Sequence, residues 1–95
     1  MTVYALAQLS FTEVEAYRRY QARFTDVFRK FDGRLLAADE APEVTEGEWS
    51  GDKVVLMSFP DKAAYEAFAK SPEYLEISKD RWAGAKTTAL LLRGF

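Results

Sequence analysis

The stretch "MSFPDKAAYEAF", residues 57–68, repeats an earlier one, "LSFTEVEAYRRY", residues 9–20. Ser10 matches Ser58, Phe11 matches Phe59, Glu13 matches Asp61, Ala16 matches Ala64, Tyr17 matches Tyr65 and Tyr20 matches Phe68, always 48 positions apart. Each copy ends an apolar strand on serine and phenylalanine and enters a helix with an acid near its start. One register for all the matches points to one strand-to-helix junction built twice. Tyr17 and Tyr65 are expected to face the sheet from equivalent helices.

Working outward, "VYALAQLSF" (residues 3–11) reads as the strand before the first copy. After it, apolar residues fall at Tyr17, Tyr20, Phe24, Val27, Phe28 and Phe31, in the steps of three and four that mark one face of a helix. Thr12 and Glu15 have capping-box spacing, Lys30 falls in the last turn, and Gly33 follows as a stop. Leu35 to Ala38 predicts a short strand, which Pro42 confines to an edge or a bulge. "VTEGEW" (residues 44–49) predicts renewed extended structure, "SGD" (residues 50–52) a turn, and "KVVLMSF" (residues 53–59) a strand. Asp61 begins a helix over 61–70. Ser71 caps another, with Pro72 in its first position and Glu73 at its positive end, and Gly84 closes it. "KTTALLLRGF" supplies the last strand.

The order is therefore βαββαβ with an extra helix before the last strand. Two βαβ halves related by a pseudo-twofold make a ferredoxin-like α+β unit, expected as one domain over residues 1–95. Neither "KVVLMSF" nor "TALLL" alternates apolar with polar, the pattern of strands covered on both faces. Helices in such a unit pack on one face only. A second copy of the same sheet is expected on the other, giving a homodimeric α/β barrel, because a wet face would expose roughly several hundred Å² of apolar surface.

Composition narrows the chemistry. Hydrophobic residues are 48% of the 95 and aromatics 15%, enough for a folded core. There is no cysteine and no histidine, which removes thiol nucleophiles, disulfides, zinc ribbons, the commonest general base and the usual haem and transition-metal ligands. No metal or cofactor is expected. Thirteen basic residues are interleaved with fifteen acids, so no basic face awaits a nucleic acid. The N-terminus lacks a basic start and a long apolar run, and no run reaches membrane-spanning length, so the expected location is cytoplasmic.

"DGRLLAADEAPEVTEGEW", "VVLMSFPDKAAYEAFAKSPEY" and Arg81 resemble the DUF1330 family, a domain of unknown function, over almost the whole chain. The specific parts are Gly33-Arg34, Glu46-Gly47 with Trp49, Phe59-Pro60, Ser71-Pro72-Glu73-Tyr74 and Arg81. The resemblance implies a dimeric α+β barrel. It implies no particular activity, although the wider superfamily includes cofactor-free monooxygenases, isomerases and ligand-sensing domains. Asp32, Asp39-Glu40 and Phe68 depart from the family pattern, and the acids at 39–40 argue against an anionic ligand.

Charge interrupts apolar segments at Glu46, Arg34 and Arg81, with Tyr20, Trp49 and Tyr74 as expected walls of a site. A carboxylate in an apolar setting has a raised pKa and serves as acid or base, and arginines clamp an oxyanion. The same set serves equally as a structural clasp, since buried charge is costly unless paired. The acids Asp39, Glu40, Glu43, Glu46 and Glu48 read as a solvated hairpin. Two functions follow as expectations. One is binding of a small organic molecule in a barrel pocket, with cofactor-independent acid–base or monooxygenase-type chemistry resting on Glu46 and the arginines. The other is a non-catalytic metabolite-sensing or dimerisation module.

Overall fold

A computed structural model describes residues 1–95. Two apolar strands, β1 (Val3–Phe11) and β3 (Lys53–Phe59), form the centre of a four-stranded antiparallel sheet. The edges are β2 (Arg34–Asp39) beside β3 and β4 (Ala85–Arg93) beside β1, so the order is β2-β3-β1-β4. Three helices complete the chain: α1 (Val14–Phe28), α2 (Lys62–Ala69) and α3 (Pro72–Gly84). This is the ferredoxin-like arrangement with a helix added before the last strand.

The repeated phrase does the same work in each half. Phe11 ends β1 and packs against Tyr17 with tilted rings, centroids 4.8 Å apart, while Phe59 ends β3 and meets Tyr65 edge-on at 5.4 Å. Because side chains alternate along a strand, Val3, Ala5, Leu9, Met57 and Phe59 point to the helices and are buried. On the opposite face Leu6 lies between Leu56 and Leu90 in register, flanked by Tyr4, Val54 and Leu92, and no part of the chain covers them. The result is a slab with Cα extents of 32 × 32 × 16 Å. No helix is long and apolar enough to cross a membrane.

Helix starts follow the sequence in two cases of three. Asp61 accepts from the Ala64 N–H at 2.8 Å, and the Ser71 hydroxyl accepts from the Tyr74 N–H at 3.1 Å with Pro72 next in line. The capping box of Thr12 and Glu15 does not form; Glu13 occupies the cap position without a side-chain bond. A tertiary acceptor replaces it. The Gly84 carbonyl takes the N–H groups of Thr12 at 2.9 Å and Glu13 at 3.1 Å. This approach needs glycine, since a Cβ there would stand 2.4 Å from the Tyr17 nitrogen and 2.7 Å from the Glu13 oxygen. Lys30 lies past the end of α1 and pairs with Glu73 at 2.8 Å rather than with the helix terminus.

Residues 44–49 are not extended. They belong to an irregular loop, 40–52, with Gly47 at a φ of 85°. Pro42 has no N–H to offer a ladder, and an acid at 43, 46 and 48 gives a strand neither an apolar face nor a compatible neighbour. β2 stops at Asp39, after a bulge between Leu35 and Ala37.

Candidate functional site

A cavity of about 220 Å³ lies between the sheet and helices α1 and α3. Its floor is shallow because the central strands carry small residues there. Ala7 pairs with Ala89 on one side and Val55 on the other, and Ala5 follows two positions earlier. Larger side chains close the rest: Tyr17, Tyr20 and Phe24 from α1, and Tyr74 and Trp82 from α3.

Few polar groups reach this space. Residues 74, 78 and 81 of α3 are spaced by four and three, so Tyr74, Ser78 and Arg81 share one face of the helix. The Tyr20 and Tyr74 hydroxyls are 2.8 Å apart, and burial, helped by Tyr74, pushes the Tyr20 phenol well above its ordinary pKa. The Arg81 guanidinium lies over the rings of Tyr20, Tyr74 and Trp82, at 5.7, 5.9 and 5.9 Å from their centroids. Three buried side-chain atoms lack any hydrogen-bond partner: Ser78 Oγ, Arg81 Nε and Thr87 Oγ1. All three residues line this cavity, and Ser78 is 0% exposed. Buried polar atoms are normally paired, so three without partners around one cavity, two on α3 and one on β4, single this cavity out.

A second hollow of about 230 Å³ lies across the partition made by Tyr17, Tyr20, Phe24 and Val55. Lys53, only 4% exposed, lines it. Its ammonium sits 4.9 Å from the Tyr17 ring centroid and 3.5 Å from Glu40. Glu40 also receives Arg18 at 2.7 Å. The Arg18 hydrogen bond, with both neighbouring cations, draws the Glu40 carboxyl down to about 2, and the Arg18 guanidinium is raised in return.

Of the six residues singled out in the sequence, Arg81, Tyr20 and Tyr74 come together at the first cavity. Arg34 opens β2 opposite Ser58, beside Tyr4 and Leu36 in a shallow groove. Glu46 is exposed in the 40–52 loop and pairs with neither arginine. Trp49 lies in the same loop with its ring over Gly51. The Glu–Arg clasp therefore does not form within one chain, because the segment meant to carry Glu46 into the sheet is a loop. No carboxylate lines the cavity, and the acids of 39–48 do not converge into a metal-binding group. Ser78 and Thr87 went unnoticed in the sequence. Their signal was the spacing of 78 and 81 on a helix whose facing strands carry alanines at 5, 7 and 89.

The family model described as "Domain of unknown function (DUF1330)" matches residues 2–95. No curated protein matches the sequence. Among solved structures, the fold is similar to RPA0582, a protein of unknown function from Rhodopseudomonas palustris. The TM-score is 0.83 at 20% identity, covering 99% of this chain and 82% of that one. A dimeric ferredoxin-like protein of unknown function from Jannaschia sp. CCS1 gives 0.76 at 20% identity, covering 99% and 100%. SnoaB, a cofactor-independent oxygenase from Streptomyces nogalater, gives 0.74 at 14% identity, covering 99% and 93%. At these identities the likeness is one of fold.

Proposed function

The chain belongs to the DUF1330 family, and we propose that it binds a small organic molecule in the cavity between sheet and helices, as a homodimer joined through the uncovered sheet face. The observation that carries the binding reading is the coincidence of three unpartnered atoms, Ser78 Oγ and Arg81 Nε on α3 and Thr87 Oγ1 on β4, around one largely apolar hollow. An apolar pocket with a few convergent polar groups is the usual form of a small-molecule site. SnoaB uses the same fold as a cofactor-independent oxygenase, so a cavity of this kind is compatible with chemistry on its occupant. Binding is favoured over chemistry, because the groups at hand are a guanidinium, two hydroxyls and tyrosine phenols, of which Tyr20 is kept protonated by burial. Ala7→Leu tests it by filling the floor. Native mass spectrometry should find a small organic molecule on the freshly purified parent and none on the variant. Equal retention by both, or none by either together with no thermal shift from small aromatic compounds, overturns it.

The homodimer is supported by area. The chain exposes 6384 Å², whereas a folded monomer of this mass exposes about 5,500 Å². The excess is close to the ~800 Å² that each partner gives to an interface of standard size. Leu6, Leu56, Leu90 and Leu92 supply the apolar centre for such a contact.

A further inference from the structure

We infer that the cavity's occupant is a monocyclic aromatic carboxylate, its ring over the alanine floor and its carboxylate on Arg81, Ser78 and Thr87. The inference rests on the binding reading above and adds the chemical class. It begins with charge. Arg81 is partly buried, its Nε is sealed from solvent, and no carboxylate lies within ion-pair distance of it. The acids of its own helix are engaged elsewhere: Glu73 with Lys30 at 2.8 Å, Glu76 with Lys79 at 2.9 Å, and Asp80 with Arg19 at 3.3 Å. A buried guanidinium N–H without an acceptor is costly, and an anion that enters the cavity can supply that acceptor.

Hydrogen-bond chemistry narrows the anion. A guanidinium only donates, while the Ser78 and Thr87 hydroxyls each have a proton to give. A carboxylate has two oxygens and about four acceptor positions, which is enough to take all three donors together. Size narrows the rest. An apolar cavity of about 150 Å³ holds one benzene ring, so one of about 220 Å³ takes a ring with a short polar head rather than a fused polycycle. The walls suit a flat ring, with Tyr20, Phe24, Tyr74 and Trp82 around it and Ala5, Ala7 and Ala89 beneath. The acids at 39–40, which in the sequence argued against an anion, do not line the cavity. Asp39 bonds the Ala41 N–H at 2.8 Å, and Glu40 is held by Arg18 and Lys53.

Benzoate, benzamide and toluene serve as probes, titrated into the full chain near neutral pH by calorimetry and amide NMR. Benzoate should bind at least about ten-fold more tightly than its neutral isostere benzamide, the scale of one charge-assisted hydrogen bond. Arg81→Met should abolish that preference. Ser78→Ala and Thr87→Val should each weaken benzoate by a few-fold. Benzoate and toluene should compete and shift the amides of the same residues on β1 and α3. The parent comparison of benzoate with benzamide needs no variant, so a poorly folded Arg81→Met leaves the test intact. If benzamide or toluene binds in the cavity and benzoate has no advantage, the carboxylate assignment falls and the binding reading stands. If none of the three perturbs the cavity residues, both fall.

Discussion

Leu6 and Leu9 are three residues apart on β1, yet Leu9 is 2% exposed on the helix side while Leu6 lies half-covered on the other. The same holds on β3 for Met57 and Leu56. The two faces are written with similar apolar residues, but only one is sealed by the chain itself. The helix-covered face is closed by Phe28, Phe59, Phe68 and Ile77 and opens into the first cavity where its strands carry alanine. The bare face has a groove at Tyr4, Arg34 and Leu36 but no cover. An apolar pattern along a strand therefore does not report burial within one chain, which is decided by where the helices can reach.

The strongest way to break this contrast is to charge the bare face. Leu90, 49% exposed, lies beside Leu6 at the centre of the uncovered strands. Leu90→Asp should dissociate the proposed homodimer, because each dimer would lose the interface burial of two leucine side chains and take in two charges. Light scattering at micromolar concentration should show the mass halving while helix and strand signals in circular dichroism persist. A dimer of unchanged mass would move the interface away from this face.

On the covered face, Phe59→Ala should act on the fold itself. The Phe59 ring meets Tyr65, Phe68 and Phe28 at 5.4, 5.7 and 6.0 Å. Its removal should cost about 3–5 kcal/mol, read as a fall in the denaturant midpoint. A loss under about 1 kcal/mol would mean that the two faces are less different than their exposure indicates.

Much of this contrast was legible in the sequence, and the failures share a cause. The repeat points to the two equivalent strand-to-helix junctions and the element order, and capping residues mark the helices begun by Asp61 and Ser71, because those features are local or periodic. The capping box at Thr12 failed because Gly84, far along the chain, offers its carbonyl to the same N–H groups. Glu46 was misplaced because the period of a strand was read into a segment that Pro42 and Gly47 bend into a loop. Tyr20, Tyr74 and Arg81, aromatic or charged and so conspicuous in the sequence, line the cavity. Ser78 and Thr87 are ordinary on a helix and a strand, and only the packing of α3 against the alanine floor gives them a shared space.

That distant contact yields a smaller effect. Gly84→Ala should strain the α3–β4 junction, since the new methyl would meet Tyr17 and Glu13 backbone, which cannot swing aside as a side chain would. Overpacking of this kind costs about 1–3 kcal/mol. The readout is faster amide exchange at Thr12 and Glu13, which donate to the Gly84 carbonyl. Unchanged exchange at both would show that the junction does not depend on the close approach.

The smallest effect belongs to the lysine of the covered face and emerges only on acidification. Lys53 is buried at the end of β3, and Glu40 is its carboxylate partner at 3.5 Å, itself held by Arg18. The Glu40 carboxyl is depressed from an ordinary 4.5 to about 2, first by the Arg18 hydrogen bond. A folded-state pKa below the unfolded one contributes stability that is fully present above about 4.5 and is lost as pH falls through about 2. Glu40 is partly exposed, so solvent screening keeps this contribution well below the core effects. Glu40→Gln should lower the melting temperature slightly at neutral pH and flatten its decline between about pH 4.5 and 2, so that parent and variant converge at the acid end. Two parallel acid limbs would show that Glu40 titrates alike in the folded and unfolded chains, and that Lys53 is accommodated on the covered face by the Tyr17 ring alone.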